Sequence, residues 1–379
     1  MRTGSQNLQA AAAERMSVVS KPTPTRDVPH NRLTFGEAEV EAVTRTVRSG
    51  QWAQGPRVAE LECELARIAK VKYCVCVASG LSAVRLALGA LGVTQGARVL
   101  VPAYSCVALA NACLSWGAEP APVDIESDTW NLDARCCRQA ISVTDAKAII
   151  AVNTFGAPAE LAYGQNTRIP IIEDCAHAFG LDVDGRALGG RSEIGILSFY
   201  ATKLLGGGEG GAVLTNSADV FQFVSSSRDY GDKLPDAHRM NDKMSDLEAS
   251  LVLAQLERLP EMLARREALA FRYIDLLSSA GSGKLFRLPP RHEKRIWYRF
   301  VVEVLSGDAQ QFVEELRREG VDAALPVSDW RLPGGPVAPT ADRAYRRLLS
   351  LPLYPSLTEE EQDYVVSALL RVCEERFRA

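Results

Sequence analysis

At 379 residues, with 47% hydrophobic and 24% charged side chains, the chain is too long for one hydrophobic core and too apolar to be disordered over most of its length. A formal net charge of -4 excludes the basic stripe that nucleic-acid binding needs, and Arg265, Arg266, Arg346 and Arg347 are expected on solvated helix faces. No apolar run approaches the ~18 to 20 residues of a membrane span, and the start of the chain lacks the hydrophobic stretch of a signal peptide, so a cytoplasmic protein without a membrane partner is expected.

Residues 1–27, with Pro22 and Pro24, read as a loose arm. From Val71 onward, short β-rich apolar runs alternate with stretches of helical period, the pattern of a parallel sheet wrapped by helices. The predicted strands are Tyr73 to Ala78, Arg98 to Pro102, Ala148 to Val152, Ile169 to Glu173, Ile194 to Phe199 and Gly211 to Leu214. Their continuous hydrophobicity is that of strands buried on both faces. Cys74 and Cys76 share one side of the first strand and are read as small buried residues. None of the nine cysteines forms a Cys-x-x-Cys pair, so zinc is not expected and a reducing compartment is.

A long helical region from Met244 to Leu277, broken near Pro260, is expected to bridge two lobes. Beyond it come a strand from Trp297 to Val304 and helices from Ala309 to Glu319 and Thr358 to Phe377. The chain is therefore read as α/β: residues 28–250 form a large domain with a mainly parallel central sheet flanked by helices. Residues 251–379 supply a linker helix and a smaller C-terminal α+β domain. No repeat of fixed period occurs.

Three stretches carry chemistry. Ile171-Ile-Glu-Asp-Cys-Ala-His177 sets Asp174 just past an apolar strand, where open α/β sheets hold ligands, although an acid there also serves as a helix cap. Ser198-Phe-Tyr-Ala-Thr-Lys203 puts a lysine between a strand and the glycine-rich run from Gly206 to Gly211. Partial desolvation there would favour the nucleophilic amine, and Ser198 is near enough to serve an anion beside it. Ala78-Ser-Gly80-Leu-Ser82 runs from a strand through a glycine into a helix whose free N–H groups suit a phosphate.

Together these resemble the DegT/DnrJ/EryC1/StrS family of pyridoxal-phosphate-dependent sugar aminotransferases, of fold type I in the aspartate aminotransferase superfamily. The resemblance runs from about Leu33 to the C-terminus. Further landmarks are Ser49-Gly-Gln-Trp-Ala-Gln-Gly55, Val101-Pro-Ala-Tyr-Ser-Cys106, Gly208-Glu-Gly-Gly211, Asn241-Asp-Lys-Met-Ser-Asp246 and Leu351-Pro-Leu-Tyr-Pro355. The resemblance implies pyridoxal 5'-phosphate as cofactor, Lys203 as its Schiff-base lysine and Asp174 as the partner of its ring nitrogen. It makes Ser198 a phosphate ligand, Gly80, Leu81 and Ser82 the phosphate-cradling turn, and His177 a neighbour of the ring. Asn241 matches an asparagine that crosses to the neighbouring subunit's phosphate, which implies a homodimer with shared sites.

Several positions depart from the family's pattern. Cys106 stands where an aromatic residue often stacks on the cofactor, with Tyr104 as a substitute or a core residue, and Leu81 replaces a frequent threonine. Lys243 replaces an arginine, and the segment from Gly156 to Ile169 is short. The resemblance implies glutamate or glutamine as amino donor and a nucleotide-linked keto sugar as acceptor, in amino-sugar or antibiotic biosynthesis. A cyclitol or another small ketone is the alternative acceptor. Related dehydratases carry histidine in place of the lysine, so Lys203 argues against that activity, and the intact Asp174 and Lys203 argue against a non-catalytic regulator.

Overall fold

The computed structural model describes residues 27–163, 169–231, 238–291, 294–332 and 335–378. The expected arm, up to residue 26, and part of the shortened segment before Ile169 lie outside them. Helices α1 (Glu37–Ser49) and α2 (Pro56–Ala69) precede strand β1 (Tyr73–Val77), followed by α3 (Gly80–Ala90), β2 (Arg98–Pro102) and α4 (Val107–Leu114). Next come β3 (Glu119–Val123), α5 (Ala134–Val143), β4 (Ala146–Val152), β5 (Ile171–Asp174) and a small ribbon of β6 (Asp182–Val183) and β7 (Arg186–Ala187). β8 (Ile194–Ser198), β9 (Gly211–Thr215) and α6 (Ala218–Ser227) follow. Then α7 (Asp246–Glu257), α8 (Leu259–Ser279), β10 (Phe286–Arg287) and β11 (Phe300–Val304) lead to α9 (Ala309–Arg318), α10 (Pro339–Arg347), β12 (Leu348–Leu351) and α11 (Glu359–Arg378).

Seven strands form the main sheet in the order β1-β9-β8-β5-β4-β2-β3. Only β9 runs antiparallel to its neighbours, so β1, β5 and β8 all end at one edge, and β9 begins there. Side chains alternate between faces: Cys74 and Cys76 pack with Leu61, Leu65 and Val252 of α2 and α7, whereas Val75 and Val77 pack with Val84 and Leu88 of α3. A fully buried leucine such as Leu65 contributes about 1.5–3 kcal/mol. All nine cysteines are free.

One strand of this sheet was not expected from its sequence, because β3 reads Glu-Pro-Ala-Pro-Val. It lies at the sheet edge, where Glu119 N–H bonds Ala97 O at 2.8 Å and Val123 O accepts from Ala103 N–H at 2.8 Å. Strand alternation turns the positions of Pro120 and Pro122 to the other, open side, where no partner needs their missing donors.

The start of α2 is capped from a distance. Gly55, Arg57 and Val58 N–H groups donate to the buried Asp246 carboxylate at 2.9, 3.2 and 2.9 Å. Asp246 itself opens α7, behind a Ser245 and Glu248 capping box. The helical region is broken just before Pro260, as expected: α7 ends at Glu257 and Pro260 lies in the first turn of α8, where no donor is needed.

α8 contributes Leu259 and Met262 to the cluster under the main sheet, and Leu269, Ala270, Tyr273 and Leu277 to a second one. That second cluster packs the antiparallel sheet β10-β11-β12 against α9 and α11, and Val28 joins it by pairing with Val321. Arg266, expected on a solvated face, is buried instead, because α8 is covered on both sides at this point. Among the described residues no helix is long and apolar enough to cross a membrane.

Candidate active site

The sheet register assembles the first wall. Val77 and Ser198 both pair with Gly211, so the end of β1, the start of β9 and the end of β8 lie side by side. A side chain at Gly211 would put Cβ 2.5 Å from Ser79 O, and one at Gly80 would put it 2.8 Å from Ser198 Cβ. Both positions must be glycine for α3 to start this close to the sheet. Ser79 Oγ caps α3 by accepting from Ser82 N–H at 3.0 Å. This leaves the first turn, Gly80 and Leu81, with N–H groups that have no intrahelical acceptor. Ser82 is buried, whereas Leu81 is exposed. The result is a cradle of helix-start donors beside the Ser198 hydroxyl, suited to a phosphate.

Asp174 ends β5, paired with Ile196 of β8. It is buried and accepts from Ala176 N–H at 2.8 Å, and among the described residues it forms no ion pair. Burial pushes its carboxyl above the usual range, opposed by the Ala176 N–H and the charge of Lys203. A carboxylate in this setting gains most from a cation brought by a ligand, such as a protonated ring nitrogen. Behind it, Glu173 is satisfied within the fold by Arg191 Nε at 2.8 Å, Gly189 N–H at 3.0 Å and Asn153 at 3.2 Å.

The third component is aromatic. His177 stacks on Tyr298 at 4.4 Å between centroids and on Phe155 at 6.0 Å. Lys203 Nζ lies 5.2 Å above the Tyr298 ring. Burial, then the charges of Lys203 and Arg299, hold the imidazole well below its usual range, so it is neutral at pH 7. Its Nδ1 is buried with no partner among the described residues.

Tyr298 reaches this place through a turn far away in sequence. Phe155 and Gly156 have φ of 50° and 93°, Ile296 N–H donates to Gly156 O at 2.9 Å, and a Gly156 Cβ would lie 1.7 Å from Ile296 O. Sequence reasoning did not single out Tyr298. It read Trp297 to Val304 as one strand, whereas β11 begins at Phe300 and the residues before it turn toward the site. The available signal was an aromatic residue beside a cation, Tyr298-Arg299, at the mouth of that strand.

Two of the remaining expected residues stand apart from this cluster. Cys106 is exposed at the start of α4, and Asn241 is exposed beside Asp242. Asp242 is buried, pairs with Arg85 and accepts from Ala78 N–H at 2.8 Å, which ties this segment to the cradle. Tyr104 is a core residue, packed edge-on to Tyr345 at 4.7 Å and to Phe155 at 6.3 Å. Lys243 Nζ pairs with Asp229 at 2.6 Å.

This geometry can be set beside known proteins. The model of the DegT/DnrJ/EryC1/StrS aminotransferase family matches residues 34–370, and the chain belongs to that family. It is similar to the aminotransferase TlmJ from Streptoalloteichus hindustanus, with 27% identity and a TM-score of 0.85 over 92% of this chain and 100% of that one. S. venezuelae DesV, solved in complex with a ketimine intermediate, shares 28% identity with a TM-score of 0.81, over 92% of this chain and 99% of its own. NtdA from Bacillus subtilis, solved with bound cofactor PMP, shares 27% identity with a TM-score of 0.83, over 94% of this chain and 86% of its own.

Proposed function

We propose that this aminotransferase uses pyridoxal 5'-phosphate to move an amino group from glutamate or glutamine to a nucleotide-linked keto sugar, in the making of an amino sugar or an antibiotic. The observation that carries the reading is the convergence at one sheet edge of the Gly80 and Ser198 cradle, the unpaired Asp174 and Lys203. Each fits one part of the cofactor. The cradle left by two obligatory glycines fits its phosphate, received by the N–H groups of Gly80 and Leu81 and the hydroxyls of Ser82 and Ser198. Asp174 would hold the proton on its ring nitrogen.

When bound, the cofactor supplies an electron sink for the bond-breaking carbon. Lys203 would hold its aldehyde carbon, and the Lys203 amine is the group that would move a proton at the substrate carbon. His177, kept neutral and with a buried Nδ1, would flank the ring, and Cys106 stands at the position where the family often carries an aromatic residue. We divide the chain into a large domain to about residue 250 and a smaller one beyond, and place it in the cytoplasm as a homodimer. Asn241 of each chain completes the phosphate site of the other.

Purified protein is expected to be yellow, to lose its colour with glutamate or glutamine, and to regain it with a keto-sugar nucleotide. Lys203→Ala should keep phosphate binding yet lose turnover. Recovery of colour by a cyclitol ketone and not by keto-sugar nucleotides would replace the acceptor, and failure of every amino donor would overturn the reading. A heterodimer of Lys203→Ala and Asn241→Asp chains should regain about half the wild-type sites if Asn241 is shared, and none if it serves its own chain.

A further inference from the structure

The short segment from His238 to Asp242 is gripped more firmly than its exposed residues suggest. The His238 ring stacks on Trp116 with 4.1 Å between centroids. Arg85 Nη1 donates to His238 O at 3.1 Å, and the other terminal nitrogen of the same guanidinium pairs with the Asp242 carboxylate. Asp242 N–H donates to Arg228 O at 3.0 Å, and Asp242 O accepts from Ala78 N–H at 2.8 Å. Between these fixed points Asn241 stands exposed.

The grip is seated on α3. Trp116 Nε1 donates to Arg85 O at 2.7 Å, and its indole fills the space at Gly89, where a Cβ would lie 2.3 Å from Trp116 Cζ2. Indole and guanidinium therefore take hold of the segment from the same helix.

Arg85 and Asp242 are each only 7% exposed. Two charges so far from water gain little stability over an apolar pair of the same size, because desolvation offsets most of their attraction. What the pair does is fix a position. Asp242 cannot turn outward without leaving the Arg85 guanidinium buried and without its carboxylate, which is costly.

The same helix opens on the phosphate cradle. Arg85 lies about 7.5 Å along the axis from Gly80, and Ser82 and Arg85, three residues apart, share one face. We propose that Arg85 is a positioning residue for the partner subunit's phosphate site: by clamping His238 and Asp242 it sets where Asn241 stands out from its own chain. This rests on the shared-site reading above. One helix then serves two sites, its first turn the phosphate of its own chain and its second turn, through Asp242, the phosphate of the other.

The experiment uses full-length holoenzyme and tagged heterodimers. The Arg85→Gln homodimer should retain the cofactor about 10- to 100-fold less tightly than wild type, as for the loss of one hydrogen bond to a charged group. Arg85→Lys, which keeps the charge, should lose less. In a heterodimer of Arg85→Gln and Lys203→Ala chains, the subunit with intact Lys203 receives Asn241 from a chain whose Arg85 is intact. About half the wild-type sites should return, read as colour loss with the amino donor. A residue that serves only the stability of its chain, or the cradle of its own α3, leaves the defect in the chain that carries it, and no site is whole. Should Arg85→Gln give no folded dimer, Asp242→Asn takes its place, since it removes the ion pair and keeps both backbone bonds.

No recovery in intact heterodimers, or wild-type cofactor retention in the Arg85→Gln homodimer, would overturn the proposal. The heterodimer of Lys203→Ala and Asn241→Asp chains separates the two failures. If it recovers and the Arg85→Gln mixture does not, Asn241 is shared but Arg85 does not place it. If neither recovers, the shared-site reading fails and takes the proposal with it.

Discussion

The cradle at the start of α3 and the aromatic stack beside Lys203 are two walls of one site, built in opposite ways. The cradle is backbone packed on backbone: Ser79, Gly80, Ser198 and Gly211 stand where the ends of three neighbouring strands place them. It contains no titrating side chain. The stack joins Phe155, His177, Tyr298 and Lys203 from four separate segments, held by a left-handed turn and surrounded by charge. Away from Gly80 and Gly211, a wall made from strand ends tolerates sequence change wherever hydrophobicity is kept, because strand length fixes its geometry. A wall made from distant segments depends on individual residues and on their protonation.

The largest effect that separates the walls is expected from Gly156→Ala. Its Cβ would lie 1.7 Å from Ile296 O at a φ of 93°, so the turn beneath Tyr298 must open. Left-handed backbone strain plus overpacking is expected to cost about 3 kcal/mol or more in urea unfolding. Phosphate affinity measured at the cradle should be little changed in whatever protein stays folded. A Gly156→Ala protein as stable as wild type would show that the stack does not hang on this turn.

Acid should attack the same wall. A histidine held neutral in the fold binds fewer protons than in the unfolded chain at any pH between its two pKa values. Stability is therefore full above about 6.5 and falls as pH drops toward the folded value. For His30, pushed down to about 4 by burial and then by Arg299, the loss amounts to about 3 kcal/mol. His177 acts in the same direction, while Asp174, whose pKa is raised by burial, offsets part of it on the acid side. Urea melts at pH 7 and pH 4.5 should differ accordingly, and His30→Asn should shrink the difference. An unaltered difference in that variant would remove His30 from the account.

Gly80→Ala tests the other wall. With Cβ 2.8 Å from Ser198 Cβ, either α3 or Ser198 must shift, and cofactor retention should weaken by about 1–3 kcal/mol with His177 and its acid response intact. Equal retention in dialysis against buffer would mean that the phosphate sits elsewhere.

The smallest effect is expected at Cys106, exposed at the start of α4 with room on its open side. Cys106→Trp should tighten cofactor retention by about 0.5–1.5 kcal/mol through ring stacking. Faster cofactor loss from this variant would show that the facing wall is already filled.

Much of the first wall was legible without a structure. Asp174, Ser198 and Gly80 each follow a short apolar run, and a run of that kind ends at a sheet edge whatever surrounds it. β3 was not legible, because its prolines contradict strand propensity everywhere except at an edge, and edge position is a property of the whole sheet. Arg266 was misread for a related reason: helical period marks a face as polar or apolar, but burial on both sides of α8 comes from elements far along the chain.

The sequence by itself determined the strands that end at the site, their flanking glycines and the lysine and carboxylate beyond them, because these follow from local hydrophobic runs and chain order. Only the tertiary structure decided that Tyr298 stacks on His177 and that Arg266 and Arg299 line cavities next to Lys203. Arg266, Tyr298 and Arg299 lie 63 or more positions from Lys203 in the chain, so no local period links them to it, and the place of Tyr298 depends on where the segment before β11 packs against the Gly156 turn.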